Sequence, residues 1–157
     1  MLHHVSVGVH DVERAAKFYD PVLKTLGYKR VMEFLPYAIA YGEENPEFWI
    51  QQPHNQLAAM AGNGVHVAFA AKTKGQVNKF HAAALAQGGS NGGEPGPRPD
   101  YGPHYYGAFI YDLDGNKVEA VIIAQAKPAA KAAKKPAKKA AKKAAPKKKK
   151  AKRKAKR

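Results

Sequence analysis

Residues 3–28 read HHVSVGVHDVERAAKFYDPVLKTLGY and carry two hydrophobic periods in succession. In HHVSVGV the alternation is strict: Val5, Val7 and Val9 share one face and His4, Ser6 and Gly8 the other, the period of a half-buried strand. At Asp11 the period changes. Asp11 suits a helix N-cap, and Val12, Ala15, Tyr19, Val22, Leu23 and Leu26 recur at helical spacing until Gly27 closes the run. Pro21 lies inside that pattern and predicts a kink or a split, because it lacks the N–H that the helical ladder uses.

The same grammar returns 62 residues later. His4-Val5 aligns with His66-Val67, Lys17-Phe18 with Lys79-Phe80, Leu23 with Leu85 and Gly27 with Gly89, six identities in one ungapped frame, which point to a duplicated unit. In GNGVHVAF (62–69), Val65, Val67 and Phe69 take one face and His66 and Ala68 the other. Thr73 takes the cap position of Asp11, and the second helix is expected to run through Val77, Phe80, Ala84 and Leu85 to Gly88-Gly89. Three strand-like runs follow each helix. They are YKRVMEF (28–34), YAIAYG (37–42) and EFWIQQ (47–52) in the first copy, and a short run near 90–94, YYGAFIY (105–111) and KVEAVII (117–123) in the second. Each copy therefore reads β-α-β-β-β, with modules at about 1–55 and 62–124. GGEPGPRPDYGPH (92–104) reads as an irregular loop, and Asp112, Asp114 and Asn116 read as turn-formers.

Composition divides the 157-residue chain at residue 126. Ten basic against twelve acidic residues leave residues 1–126 at −2, whereas residues 127–157 hold 17 Lys/Arg, 11 Ala and three Pro and no acidic residue. That segment cannot build a core and is expected to be a disordered polybasic tail, next to one folded domain over 1–126. With no Cys, disulfides, thiolate metal sites and thiol nucleophiles are excluded, so any metal is held by His, Asp or Glu. GNG and GGSNGG lack the Lys-Ser/Thr and the strand-to-helix frame of a phosphate loop. No apolar stretch approaches the ~18 residues that cross a bilayer, and a cytoplasmic protein is expected.

HHVSVGVHDVERAAKFYDPVLKTLGY near the start, GNGVHVAF in the middle and YDLDGNKVEAV (111–121) near the end resemble the vicinal oxygen chelate superfamily. That family includes glyoxalase I, fosfomycin and bleomycin resistance proteins and extradiol dioxygenases. The resemblance covers roughly residues 2–123. It implies an α+β fold in which two paired βαβββ modules form a cup-shaped mixed sheet, with one divalent metal (Fe, Mn, Ni, Co or Zn) at the floor. The matching ligand positions here are His4, His66 and Glu119. Some members add a carboxylate from the fourth strand of the first module. EFWIQQ puts Trp49 at the middle of that strand, a departure that argues against the proton transfer of glyoxalase I itself.

Trp49, Arg98 and Tyr105 are the candidate substrate-binding residues, for an aromatic wall and for an anion, and His104 and Tyr106 are the candidate catalytic ones. The resemblance thus implies a metal-dependent lyase, isomerase or dioxygenase acting on a small oxygen-chelating substrate, with a homodimer among the allowed assemblies. A metal-optional drug-binding protein is the rival reading. The tail resembles the Lys/Ala/Pro tails of linker histones and of some bacterial nucleoid proteins. It predicts non-specific nucleic-acid binding and association with the nucleoid, and a nucleoid-associated DNA-binding role is a third reading.

Overall fold

The computed structural model describes residues 2–123. The expectations for residues 127–157 fall outside the described residues. The first module runs β1 (Val5–Gly8), α1 (Val12–Lys24), β2 (Lys29–Phe34), β3 (Ala38–Gly42), β4 (Phe48–Gln51). The second runs β5 (His66–Ala70), α2 (Lys74–Ala86), β6 (Ser90–Pro97), β7 (Tyr105–Tyr111), β8 (Lys117–Ile123). Each module forms a four-stranded mixed sheet, ordered β1-β4-β3-β2 and β5-β8-β7-β6. In both, the first strand pairs in parallel with the last and the other pairings are antiparallel. The topology repeats as the sequence repeat predicts, and the fold is α+β.

Local chemistry sets the helix ends. Asp11 caps α1 by accepting the Arg14 N–H, and Thr73 caps α2 in a reciprocal box with Gln76. Gly27 and Gly88, just past the two helices, have φ of +96° and +89°, where a side chain would be strained. Pro21 does not split α1, which runs unbroken through it. Tyr19, Val22 and Leu23 on either side of it are fully buried, and each such side chain contributes about 1.5–3 kcal/mol. That burial outweighs the ~3 kcal/mol cost of an interior proline.

The segment 92–104 also departs from expectation. Its first half is strand, because β6 extends to Pro97 with register shifts at Asn91/Gly93 and Gly93/Gly96. A short 3-10 turn follows at Pro99–Tyr101. β6 is an edge strand, so Pro95 and Pro97 can sit where no second neighbour needs an N–H.

α1 packs against α2, and one core spans both modules. Phe48 of β4 meets Phe69 of β5 edge to face, ring centroids 5.1 Å apart. The turn after β7 ties the modules together: Asp112 accepts the Tyr19 hydroxyl at 2.7 Å, and Asn116 donates to the Gly8 carbonyl at 3.1 Å. Burial, and then the Asp112 charge, hold the Tyr19 hydroxyl protonated well above its ordinary range. With the valines of β1 and the Val67 and Phe69 side chains of β5 turned to the core, the alternate residues of both strands, the histidine faces, turn away from it.

Candidate functional site

Glu119 is the centre of the site. It stands mid-strand on β8, opposite Ala68 of β5 and Phe109 of β7, and is completely buried. Its Oε1 accepts the Tyr105 hydroxyl at 2.6 Å. Its Oε2 is buried and has no hydrogen-bond partner. The His66 Nε2 lies 3.3 Å from that oxygen, within ion-pair reach but not placed to hydrogen-bond it. A buried acceptor left unpaired costs about 1–3 kcal/mol, so the fold holds Oε2 in this state at a cost.

Gly107 makes room for the carboxylate. A Cβ there would stand 2.6 Å from Glu119 Oε1 and 3.2 Å from Tyr105 Cε1. Burial first, and then the hydrogen bond to Glu119, push the Tyr105 hydroxyl well above its ordinary range. Tyr105 therefore stays a donor, and Glu119 keeps Oε2 for another partner. His66 completes the pair with its side chain 45% exposed.

Around the pair, the same sheet face carries Phe109 with three basic groups about its ring. The His66 ring centroid lies 6.1 Å from it, the Arg98 guanidinium carbon 5.7 Å and the Lys117 Nζ 5.0 Å. Arg98 donates to the carbonyls of Glu94 at 2.7 Å and Pro97 at 3.2 Å.

His4 is not brought into this group. Its ring lies against His3, with the two Nδ1 atoms 2.9 Å apart, and 6.5 Å from Trp49. Trp49 in turn stacks on Phe34 at 6.2 Å. His4 and His66 do border one cleft of about 490 Å³ between the modules, with Tyr28, Phe48 and Phe69. Among the described residues, no three His, Cys, Asp or Glu side chains are arranged to hold an ion. Each sheet thus carries a separate array, His4–Trp49–Phe34 on one and His66–Glu119–Tyr105–Phe109 on the other.

Tyr106, expected as a catalytic residue, lies on the opposite face from Tyr105. Its hydroxyl donates to Asn78 of α2 at 2.9 Å and its ring lies under Lys74, so it does not share the Glu119 surface. His104 is exposed in the turn before β7. Phe109 and Lys117 were absent from the expected set. The signal for them was parity: once Glu119 is placed, residue 117 shares its face, as does its cross-strand partner 109.

The sequence profile of the Glyoxalase/Bleomycin resistance protein/Dioxygenase superfamily matches residues 1–120. The chain belongs to this superfamily. The crystal structure of a glyoxalase/bleomycin resistance protein from Albidiferax ferrireducens T118 is 39% identical, with a TM-score of 0.70, covering 76% of this chain and 96% of that one. Two others share the fold at lower identity. A glyoxalase-related enzyme from Fulvimarina pelagi is 20% identical with a TM-score of 0.60, over 78% of this chain and 87% of that one. The lactoylglutathione lyase from Agrobacterium tumefaciens is 19% identical with a TM-score of 0.54, over 78% and 92%. Among curated proteins none matches. Members of the glyoxalase superfamily typically use a divalent metal and bind small molecules. Two ligands of one ion at about 2.0–2.2 Å stand roughly 3 Å apart, so the spacing of His66 Nε2 and Glu119 Oε2 and the unpaired state of that oxygen fit such a metal. No helix among the described residues is long and apolar enough to cross a membrane.

Proposed function

We propose that this glyoxalase-superfamily chain is a metal-dependent enzyme of the lyase, isomerase or dioxygenase kind, acting on a small substrate through paired oxygens. One observation carries the reading: the buried, unpartnered Oε2 of Glu119 beside the half-exposed imidazole of His66. A divalent ion held there supplies Lewis-acid stabilisation of negative charge on a substrate oxygen. Tyr105 keeps its proton and fixes the Glu119 carboxylate from the other side. Trp49 and Phe34 provide a flat apolar wall for the substrate.

In this reading the third ligand, His4, comes from the first sheet of a second copy laid over the second sheet of this one. Support comes from the separation of the two arrays within the chain and from large apolar side chains left exposed, among them Phe34 (54%), Tyr37 (66%) and Ile123 (62%). The test is elemental analysis of the full-length protein after mild purification. About one divalent ion per chain is expected, with loss in His66→Ala and in Glu119→Gln. Unchanged metal in both variants contradicts the reading.

The basic segment 127–157 is a second, separable activity in this proposal. Its 17 cations favour phosphate backbones through counterion release, with no aromatic side chain for reading bases.

A further inference from the structure

We infer that Arg98 and Lys117 form an oxyanion site over Phe109, which makes the substrate of the proposed centre a small acid, a carboxylate or a phosphonate. The inference rests on the reading above in placing the ligand's remaining oxygens at His66 and Glu119. Its own evidence is different, and begins with charge. Lys117 stands on β8 and Arg98 just past the end of β6, the two strands that flank β7, and both are half-buried within 6 Å of one ring centroid. Among the described residues neither has a carboxylate within ion-pair distance. Glu119, the carboxylate of this face, lies toward Tyr105 and His66 and forms no ion pair with either cation.

Covering an aromatic ring satisfies part of each cation's charge but none of its N–H donors. Arg98 is moreover held rigidly: its two bonds to the Glu94 and Pro97 carbonyls fix the guanidinium over Phe109. The remaining N–H groups are free for two oxygens of a carboxylate or phosphonate, which a guanidinium fork matches in bidentate fashion. Close glycines keep the place open. A Cβ at Gly96 would stand 3.1 Å from Arg98 Nη1, and one at Gly93 3.4 Å from Nη2. On β8, Lys117 is two residues from Glu119 on the same face and is the cross-strand partner of His66. An anion at these two cations therefore adjoins the His66–Glu119 pair, so one small molecule can present its acid group to the cations and its oxygens to the pair.

The test is calorimetric titration of the full-length protein with three probes of matched shape: lactate, 1-hydroxyethylphosphonate and neutral 1,2-propanediol. Each is measured with a divalent metal added and again after chelation. The two anions should bind at least about tenfold more tightly than the diol, and Arg98→Met and Lys117→Met should each weaken the anions about five- to tenfold. Neither should move diol affinity or metal content, and Lys117→Arg should restore anion binding. If lactate alone, or the phosphonate alone, shows the effect, the acid group is assigned accordingly. Anion affinity unchanged in both Met variants overturns the inference and leaves the cations as cover for Phe109. Absence of metal overturns the centre but not this site, provided the chelated protein still loses anion binding in the Met variants. Both variants keep the apolar stem that shields Phe109, so a folding loss is not expected; Arg98→Gln and Lys117→Gln repeat the comparison should one occur.

Discussion

Replacing Glu119 by Gln should make the metal-free protein more stable and the metal-loaded protein less stable, a reversal that a purely structural glutamate would not produce. In the structure Oε1 is satisfied by Tyr105 and Oε2 is buried with no hydrogen bond. A glutamine of the same shape keeps the acceptor for Tyr105 and puts an amide N–H₂ where Oε2 stands, facing the His66 ring nitrogen 3.3 Å away. Exchanging a buried carboxylate for a neutral amide removes the desolvation cost of a charge, which outweighs that of the unpaired amide N–H it introduces, and returns about 1–3 kcal/mol. With an m-value of about 1–3 kcal/mol/M in urea, the midpoint of chelated Glu119→Gln should lie roughly 0.5–1 M above that of the chelated wild type. Metal reverses the order. At a metal concentration of about 1,000 times Kd the wild type gains roughly 4.1 kcal/mol, which the variant cannot gain because an amide is a poor ligand. The assay is equilibrium urea unfolding followed by far-UV circular dichroism, with and without chelator. A chelated variant that is less stable than chelated wild type would refute the argument that Oε2 is held at a cost for a ligand.

Three further outcomes follow. Gly107→Ala forces a Cβ to within 2.6 Å of Glu119 Oε1, so it should destabilise the fold by about 1–3 kcal/mol and lower metal content, while Ala108→Gly, one residue along, should lower stability alone. Alkaline titration should weaken the fold in a defined window. Burial, with Glu47 nearby, pushes the Tyr28 hydroxyl up to about 12 from 10, so the native state holds a proton that the unfolded chain releases first; stability is full below pH 10 and falls from pH 10 to 12, and Tyr28→Phe should flatten that slope in pH-dependent urea midpoints. Ending the chain at Gln125 removes 17 cations and no large apolar side chain, so the thermal midpoint should hold while duplex DNA binding is lost. If roughly 8 of those cations engage phosphates, the full-length log-log salt slope should be near −7, and a slope near zero would contradict the electrostatic account.

The repeat was legible because each module spends its hydrophobic residues in the same order, strand alternation first and helical spacing second. Asp11, Thr73, Gly27 and Gly88 mark ends whose chemistry is local, and the structure keeps all four. Pro21 and the strand through Pro97 were not legible, since both depend on neighbours: burial around Tyr19 and Leu23 in one case, an edge position in the other. At the site, His66 stood out through the duplication and Glu119 through the family resemblance, whereas Tyr105 and Tyr106 were placed together although adjacent strand residues face opposite ways. The repeat also made His4 the equivalent of His66, and that equivalence was sound. Equivalence in a repeat says which faces correspond, however, and not that two corresponding faces meet within one chain. Parity places Lys117 on the face of Glu119, whereas Phe109 follows from the register of β7 on β8, and Arg98, just past β6, reaches its ring only through the pairing of β6 with β7.

The central claim is that His66 and Glu119 of one copy share an ion with His4 of another, and mixing two defective variants tests it most directly. His4→Ala and His66→Ala proteins, each prepared alone, should hold no stoichiometric metal. Unfolding them together and refolding with metal should restore one intact site in each mixed dimer, or about one ion per four chains for random pairing. No recovery in the mixture, from variants that refold and dimerise, would contradict a site divided between copies.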